Sequence, residues 1–334
     1  MSPPLITHLY TADPSAHVFD GKLYIYPSHD RETDIQFNDN GDQYDMVDYH
    51  VFSLDSPAAH PPKVTDHGVV LSARDVPWVD RQMWAPDAAR RGGKYYLYFP
   101  ARDKEGVFRI GVAAGDTPAG PFAPDPEPIP GSFSIDPAAF VDDDAAESAY
   151  LYFGGLWGGQ LQCYQRGNAP ECFDEKWLGA KEPAGEGARA LFPKVARLSD
   201  DMRSFAGGGV RDLVILAPET GEPIEADDHE RRFFEAAWMH KRGGKYYFSY
   251  STGDTHFLVY AVGTSPLGPF TYAGRLLEPV LGWTTHHSVV EFSGRWWLFY
   301  HDCELSGGVN HLRSVKVREV FYDGEGRMST EVVG

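Results

Sequence analysis

Apolar and polar residues alternate along much of this chain in short stretches, most of which follow a glycine and a basic residue. The phrase reads FDGKLYIY at residues 19–26, GGKYYLYF at 92–99, GGKYYFSY at 243–250 and SGRWWLFY at 293–300, with a degenerate copy, SAYLYFGG, at 148–155. Alternation with a period of two is typical of a strand with one buried face, and the glycine before it predicts a tight turn. We therefore predict five β-hairpins.

The spacing of these hairpins favours one architecture. The intervals between them leave room for one four-stranded sheet each, with loops of variable length between sheets. A radial array of small sheets protects its edges by closing on itself, so we predict an all-β fold, a five-bladed β-propeller formed by residues 1–334 as a single catalytic domain. A series of unrelated hairpins in a β-sandwich is the alternative. No segment has the composition of a linker or the period of a long helix.

Composition and charge narrow the classes of function. Aromatic residues make up 14% of the chain, which suits packing between sheets and also stacking on sugars. The net charge of −18 argues against nucleic acid or an anionic membrane as a partner. The first residues, MSPPLITHLYTADP, lack the pattern of a signal peptide, so the expected location is the cytoplasm unless such a signal has been removed. The sequence makes no prediction about oligomeric state.

Carboxylic acids recur at equivalent positions of the repeat. The segment that precedes a hairpin is expected to form the innermost strand of its blade, and three such segments contain Asp13, Asp136 and Glu235. The corresponding segments of blades two and five contain Trp84 and His286. Equivalent positions of a propeller converge on its axis, so these side chains are expected to face one another. A single acid would normally be a solvated surface group, but three acids at matched positions predict a site.

The neighbours of each acid suggest its role. Hydrolysis of a glycosidic bond requires one protonated carboxyl group and one ionised carboxylate. Glu235 follows two phenylalanines in the segment FFEAAW, an apolar setting that would raise its pKa and suit a general acid. Asp13 then suits the general base, and Asp136 would orient the acid and keep it protonated by charge repulsion. A proline follows each aspartate, and we expect it to hold Asp13 and Asp136 in an extended conformation.

An ordered set of segments resembles glycoside hydrolase family 43. These segments are TADPSAHVFDGKLYIYPSHD, MWAPDAARRGGKYYLYF, SIDPAAF, FFEAAWMHKRGGKYYFSYS and THHSVVEFSGRWWLFYHD, and they extend from about residue 11 to residue 323 with the strand beyond them. The resemblance implies a five-bladed propeller and an inverting mechanism with Asp13 as base, Asp136 as the pKa-modulating acid and Glu235 as general acid. It also implies activity on β-D-xylosides, α-L-arabinofuranosides or arabinans.

The same resemblance implies further site residues. It makes Trp84, Trp157 and Arg313 candidate sugar contacts, with Arg313 donating paired hydrogen bonds to hydroxyl groups, although a solvated arginine is an alternative. It makes His286 the ligand of a Ca²⁺ ion held otherwise by water in the central channel, with His287 as the residue that is most easily confused with it. Calcium usually prefers oxygen ligands, so the alternative is a histidine that only forms hydrogen bonds in the channel.

Substrate preference depends on pocket shape, which the sequence does not give. Without export, only short imported oligosaccharides would reach the enzyme, so we expect an exo-acting glycosidase whose partners are xylo- or arabino-oligosaccharides. The acidic loop at residues 28–48 would wall its pocket, or be a solvated insertion. We predict a β-D-xylosidase, with an α-L-arabinofuranosidase or dual activity as the alternative. An endo-arabinanase and a non-catalytic carbohydrate-binding propeller are less favoured, because the latter leaves the three matched acids unexplained.

Overall fold

The computed structural model describes residues 2–59, 61–164, 182–283 and 286–331. Within these ranges the chain forms five mainly antiparallel sheets around a central axis. Blade one contains β1 (Tyr10–Phe19), β2 (Lys22–Asp30), β3 (Asp48–Leu54) and β4 (Val64–Ser72); blade two β5 (Val79–Arg81), β6 (Asp87–Arg91), β7 (Lys94–Asp103), β8 (Phe108–Gly115) and β9 (Ala123–Pro124); blade three β10 (Ala138–Val141), β11 (Ala149–Phe153), β12 (Lys194–Arg197) and β13 (Arg211–Asp212); blade four β14 (Ile215–Leu216), β15 (Glu235–Arg242), β16 (Lys245–Ser251), β17 (Leu258–Gly263) and β18 (Phe270–Leu277); blade five β19 (His287–Phe292), β20 (Arg295–Asp302), β21 (Ser314–Tyr322) and β22 (Met328–Ser329).

Strand order within the blades follows the chain with two exceptions. In blade two, β5 and β6 both pair with β7, and in blade four the short β14 adds to β18 in parallel at the outer edge. The remaining described elements are short 3₁₀ turns at Ala73–Asp75, Trp157–Gly159, Leu161–Cys163 and Gly253–Thr255. The prediction of an all-β, five-bladed propeller is therefore confirmed.

The hairpin turns explain the recurring glycines. In four blades the two inner strands are joined by two residues that both have positive φ, for example Gly92 at 58° and Gly93 at 77°, and Ser293 at 54° and Gly294 at 74°. Such a pair is the type I′ turn, whose twist matches that of the flanking strands and which favours glycine. Blade three, the degenerate copy of the phrase, has a longer connection between β10 and β11.

Contacts between neighbouring blades close the ring. The innermost strands β1, β6, β10, β15 and β19 each contact the innermost strands of the two adjacent blades. Tyr98, Tyr152 and Phe248, from blades two, three and four, are buried in one shared hydrophobic cluster. The first and last blades are also joined by the backbone, since the amide of Leu5 donates to Val315 over 2.8 Å and that of Thr11 to Arg313 over 2.9 Å. That one domain spans the whole of residues 1–334 stays a prediction.

No helix in the described ranges has the length and apolar character needed to cross a bilayer.

Candidate active site

The three predicted acids lie at or just before the start of their innermost strands, and two of these strands are distorted there. The pairing of β1 with β2 shifts between Ala12 and Ser15, and the pairing of β15 with β16 shifts between Glu235 and Trp238. Such bulges re-aim a side chain, and they are frequent next to active sites. All three acids line one pocket on the propeller axis. The prediction that matched positions converge holds for them.

The backbone at the two aspartates differs from our expectation. Asp13 has φ of 49° and Asp136 has φ of 56°, so both residues are left-handed and not extended. A following proline disfavours the right-handed helical conformation of the residue before it, but it does not enforce an extended one. The irregular backbone around the two aspartates therefore decides their conformation. A non-glycine residue with positive φ stores strain, and such residues cluster where function requires a particular side-chain direction.

Asp13 is a buried carboxylate with donors on both oxygens. Its Oδ2 accepts a hydrogen bond from Ser28 Oγ over 2.7 Å, and its Oδ1 accepts one from Arg313 Nη1 over 2.9 Å. Its backbone amide donates to His301 Nδ1 over 3.0 Å. Burial by itself would raise the pKa of Asp13, but the charge of Arg313, with lesser contributions from His301, His286 and Ser28, lowers that pKa to about 2. Asp13 is therefore ionised at neutral pH.

Glu235 has the opposite electrostatic setting. Burial in the apolar pocket, together with the nearby negative charge of Asp13, raises the pKa of Glu235 to about 8, against a smaller opposing effect of Arg313. Its side chain lies close to Gly155, whose added Cβ would be 3.4 Å from that of Glu235. Glu235 is therefore protonated at neutral pH, and one pocket holds both an ionised and a protonated carboxyl group.

Asp136 contacts the backbone beside Glu235. Its Oδ2 accepts a hydrogen bond over 2.8 Å from the backbone amide of Ala236, the residue after Glu235. Burial and the charges of Glu235 and Asp13 raise the pKa of Asp136 well above its ordinary value. The contact with Ala236 positions the start of β15, and any negative charge on Asp136 opposes ionisation of Glu235.

The two tryptophans predicted as sugar contacts both line the pocket, each with its own partners. Trp84 donates from Nε1 to the carbonyl of Tyr44 over 2.8 Å, and its ring packs against Phe108. Trp157 stacks on Trp283, with ring centroids 5.6 Å apart and planes inclined by 27°. The remaining lining comes largely from the loop between β2 and β3, which contributes Phe37, Asn38, Asp39, Gly41, Gln43, Tyr44 and Met46. That loop therefore walls the pocket, while its first residues, 31–37, are mostly exposed to solvent.

Arg313 lies in the pocket wall, but its hydrogen bonds differ from our expectation. Its guanidinium donates to Asp30 from Nε over 2.8 Å and from Nη2 over 2.7 Å, and its third nitrogen donates to Asp13. We expected this paired donation to be directed at sugar hydroxyls. The two buried carboxylates bind the guanidinium instead, because a buried cation requires charged partners. The alternative of a solvated arginine is wrong, since Arg313 is buried, and a contact of Arg313 with the sugar stays a prediction.

Several residues of the site were missed by the sequence analysis. Asp30 is the last residue of β2, whose sequence ends in SHD. An acid at the end of an alternating strand was the only feature of the sequence that could have indicated a functional role for Asp30. Trp283 was not distinguished from other aromatic residues. Asp87 is a further buried acid, at the start of β6 and outside the pocket. It accepts hydrogen bonds from Ser15 and from the backbone amides of Ala88 and Ala139, so it joins blades one, two and three.

The structure distinguishes the two adjacent histidines. Nδ1 of His286 lies 3.8 Å from Oδ1 of Asp13 and 3.9 Å from Oδ2 of Asp136, and the residue lines the pocket. His287 is buried on β19, where its Nε2 is 2.6 Å from Ser249 Oγ. Burial lowers the pKa of His286, so its ring is neutral and able to bind a metal. His286, and not His287, faces the carboxylates.

Comparisons with known proteins identify the family of the chain. The model of the glycosyl hydrolases family 43 matches residues 63–328. The chain belongs to this family. It is a glycoside hydrolase. It is 76% identical over 328 residues, 98% of both chains, to xylosidase/arabinosidase 43A of Humicola insolens. It is 53% identical over 323 residues, 96% of both chains, to a β-xylosidase of Xylanibacter ruminicola.

A solved structure of the family is also similar over the whole chain. It is the calcium-free form of a GH43 β-xylosidase/α-arabinofuranosidase from a compost microbial metagenome, in complex with xylotriose. Its TM-score is 0.93 at 56% identity, and the match covers 99% of this chain and 98% of the other. The predicted family is confirmed.

Proposed function

We propose that this family 43 enzyme is an inverting, exo-acting β-D-xylosidase that releases xylose from short xylo-oligosaccharides. The observation that carries the proposal is the opposite displacement of two pKa values in one pocket, to about 2 for Asp13 and to about 8 for Glu235. Two titratable groups separated in this way supply the base and the acid of one reaction. The names of the relatives, β-xylosidase and xylosidase/arabinosidase, support the choice of a pentose substrate.

In the proposed reaction a water molecule attacks the anomeric carbon of the terminal sugar. Asp13 accepts a proton from this water as the new carbon–oxygen bond forms. The bond to the leaving sugar breaks at the same time, and Glu235 donates its proton to the departing oxygen. Exchange with solvent then returns the proton from Asp13 to Glu235. Asp136 holds the backbone beside Glu235, whose carboxyl group is kept protonated by burial and by the charge of Asp13.

Features of the pocket support action at a chain end. The loop between β2 and β3 covers one side, and Trp157 with Trp283 forms an aromatic wall on another. Walls of this kind suit a single terminal sugar better than an open groove does. Activity on α-L-arabinofuranosides is the second candidate, because the 76% identical relative is named as both a xylosidase and an arabinosidase.

We also propose that Ca²⁺ binds at His286. The residues present fit such an ion, because a neutral ring nitrogen faces two carboxylate oxygens at 3.8 and 3.9 Å, which is too far for direct hydrogen bonds. Water would complete a shell in which calcium prefers oxygen. The ion would add positive charge beside Asp13 and so favour its ionised form. The compost relative solved in calcium-free form supports a role for calcium in similar enzymes.

The test is hydrolysis of a panel of nitrophenyl pentosides, with product anomers read by NMR directly after cleavage. We expect the β-D-xyloside to be cleaved fastest and the configuration to be inverted. Asp13→Ala is expected to lose ~10²–10⁴-fold in kcat on every substrate, because water still needs a base. Retained configuration, or an Asp13→Ala enzyme with near wild-type turnover, would contradict the mechanism.

A further inference from the structure

A second group of potential metal ligands lies on blade one, outside the active-site pocket. It consists of His29 at the end of β2 with Asp48 and His50 at the start of β3. One ligand atom from each of these residues lies within 4.8 Å of the other two. The side chains are 20%, 20% and 14% exposed, so a hydrated ion can reach them. We name these three residues the blade-one cluster.

The carboxylate of Asp66, which is not itself part of the cluster, contacts the imidazole of His50 on one ring nitrogen and leaves the other nitrogen available for a metal. Nδ1 of His50 is 3.0 Å from Oδ1 of Asp66. If Nδ1 carries the proton of this hydrogen bond, Nε2 is left with a free lone pair. Asp66 is itself fixed, since the amide of Gly68 donates to it over 2.7 Å and His8 Nε2 lies 2.9 Å from its other oxygen. A carboxylate behind a ligating histidine is the usual arrangement in metal sites.

The other two ligands already contact each other. Nδ1 of His29 is 2.6 Å from Oδ1 of Asp48, and the rings of His29 and His50 are 5.0 Å apart at 69°. Ligand atoms in a tetrahedral zinc site are ~3.3 Å apart, as follows from zinc–nitrogen distances of ~2.0–2.1 Å. Side-chain movements on the order of an ångström would bring all three groups to such distances. Partly exposed side chains can make such movements.

From this geometry we infer that the blade-one cluster is a binding site for a divalent transition metal, with Zn²⁺ as the preferred ion and water in the fourth position. Two imidazoles and one carboxylate suit zinc, whereas Ca²⁺ and Mg²⁺ prefer oxygen ligands. This site is separate from the calcium position proposed at His286.

A metal ion bound at the blade-one cluster would affect the active-site pocket, because the cluster lies at the base of the loop that walls it. His29 and Asp48 lie on either side of the loop that contributes Phe37, Tyr44 and five other residues to the pocket wall. A metal joining them closes this loop at its base. His29 also precedes Asp30, which holds Arg313 and through it Asp13. An ion here would therefore restrain both the pocket wall and the support of the carboxylate proposed as base.

Zinc binding is tested on the full chain after removal of metals, by calorimetric titration with Zn²⁺ and by the visible absorption of bound Co²⁺. We expect one ion per chain with the spectrum of a tetrahedral site. His50→Gln and Asp48→Asn are each expected to weaken binding by more than a hundredfold. Asp66→Asn, which removes only the carboxylate behind His50, is expected to weaken it by ~10–100-fold.

Two matched variants serve as controls. His67→Gln removes an exposed histidine of the same blade that contacts Ser53 Oγ, and His286→Ala removes the histidine of the channel. Both are expected to bind Zn²⁺ at the cluster as tightly as the wild type does. Equal zinc affinity in His50→Gln and wild type, loss of the site in His286→Ala, or no uptake by the wild type at micromolar zinc would overturn the proposal. Because the measurement is binding, it is independent of whether the substrate is a xyloside.

Discussion

Nη1 of Arg313 lies 2.9 Å from Oδ1 of Asp13, and this buried contact joins blade five to the first strand of blade one. The guanidinium offsets a burial effect that would otherwise raise the pKa of Asp13. Its two other donors bind Asp30, so the cation is fixed in place. Ionisation of the proposed base therefore depends on a residue that is 300 positions away in sequence.

The first prediction is that removing this cation moves the pH profile. In Arg313→Met, the largest effect that opposes burial at Asp13 is lost, so the pKa of Asp13 rises and the acid limb of kcat/KM shifts to higher pH by one unit or more. Arg313→Lys keeps a positive charge and is expected to shift the limb less. An unchanged acid limb in a folded Arg313→Met enzyme would mean that Arg313 does not control the base.

Folding of Arg313→Met has to be checked by thermal unfolding, since breaking a buried ion pair costs ~3–5 kcal/mol. In Arg313→Met the buried carboxylate of Asp30 has lost its cation. Adding Asp30→Asn to this variant removes that unpaired charge, so the double variant is expected to recover part of the lost stability. Arg327→Met, at an exposed arginine whose partner is Glu325, is the matched control and is expected to change neither the pH profile nor the stability.

The second prediction separates the acid from the base. Glu235→Gln cannot donate a proton, so we expect it to lose far more activity on xylo-oligosaccharides than on nitrophenyl xyloside, whose leaving group needs little protonation. In the wild type, the basic limb of the oligosaccharide profile should fall near pH 8, where Glu235 ionises. This limb should be absent from Glu235→Gln. Equal losses on both substrates would exclude Glu235 as the acid.

The third prediction concerns stability. The folded pKa of Glu235, about 8, lies above its ordinary value of 4.5, so between these values the folded state binds a proton that the unfolded state has released. Stability is therefore lost as pH rises from about 4.5 to about 8. Glu235→Gln has no such proton, so its Tm should exceed that of the wild type at pH 7, and the difference should shrink toward pH 4.5.

Glu222→Gln, at an exposed glutamate, is the control for this comparison and should follow the wild type at every pH. A difference in Tm that stays constant between acidic and neutral pH would show that the effect comes from packing and not from the proton.

Sequence reasoning succeeded where local patterns decide the structure. The alternation in residues 92–99 and the double glycine before it specify a hairpin by themselves, and the matched acids follow from the repeat. Prediction from the sequence failed where the conformation or the partner of a residue is set by residues far away in the chain. The left-handed backbone of Asp13 comes with a strand irregularity, and the pairing of Arg313 with Asp30 joins residues 283 positions apart. No local pattern specifies either feature, although an acid ending an alternating strand was a usable signal for Asp30.

The fourth prediction tests the pocket wall. Gly41 has φ of +73°, and a Cβ there would lie 2.6 Å from Cη2 of Trp84, so Gly41→Ala must displace the loop or the indole. Overpacking of this kind typically costs ~1–3 kcal/mol, and we expect KM for xylobiose to rise about tenfold with a smaller change in kcat. Gly131→Ala has a similar φ of +78° but open space around its Cβ. A similar rise in KM in Gly131→Ala would show that backbone strain, and not contact with Trp84, is responsible.

The last prediction concerns calcium. His286 faces Asp13 and Asp136, and a divalent cation beside it would offset the repulsion between these carboxylates. Exhaustive chelation is therefore expected to lower kcat, and added Ca²⁺ to restore it. His286→Ala should have low activity that neither treatment changes, whereas Asp48→Asn, which alters only the blade-one cluster, should respond to calcium as the wild type does. A chelated wild-type enzyme that keeps full activity and contains no metal by elemental analysis would leave His286 as a channel histidine without a metal.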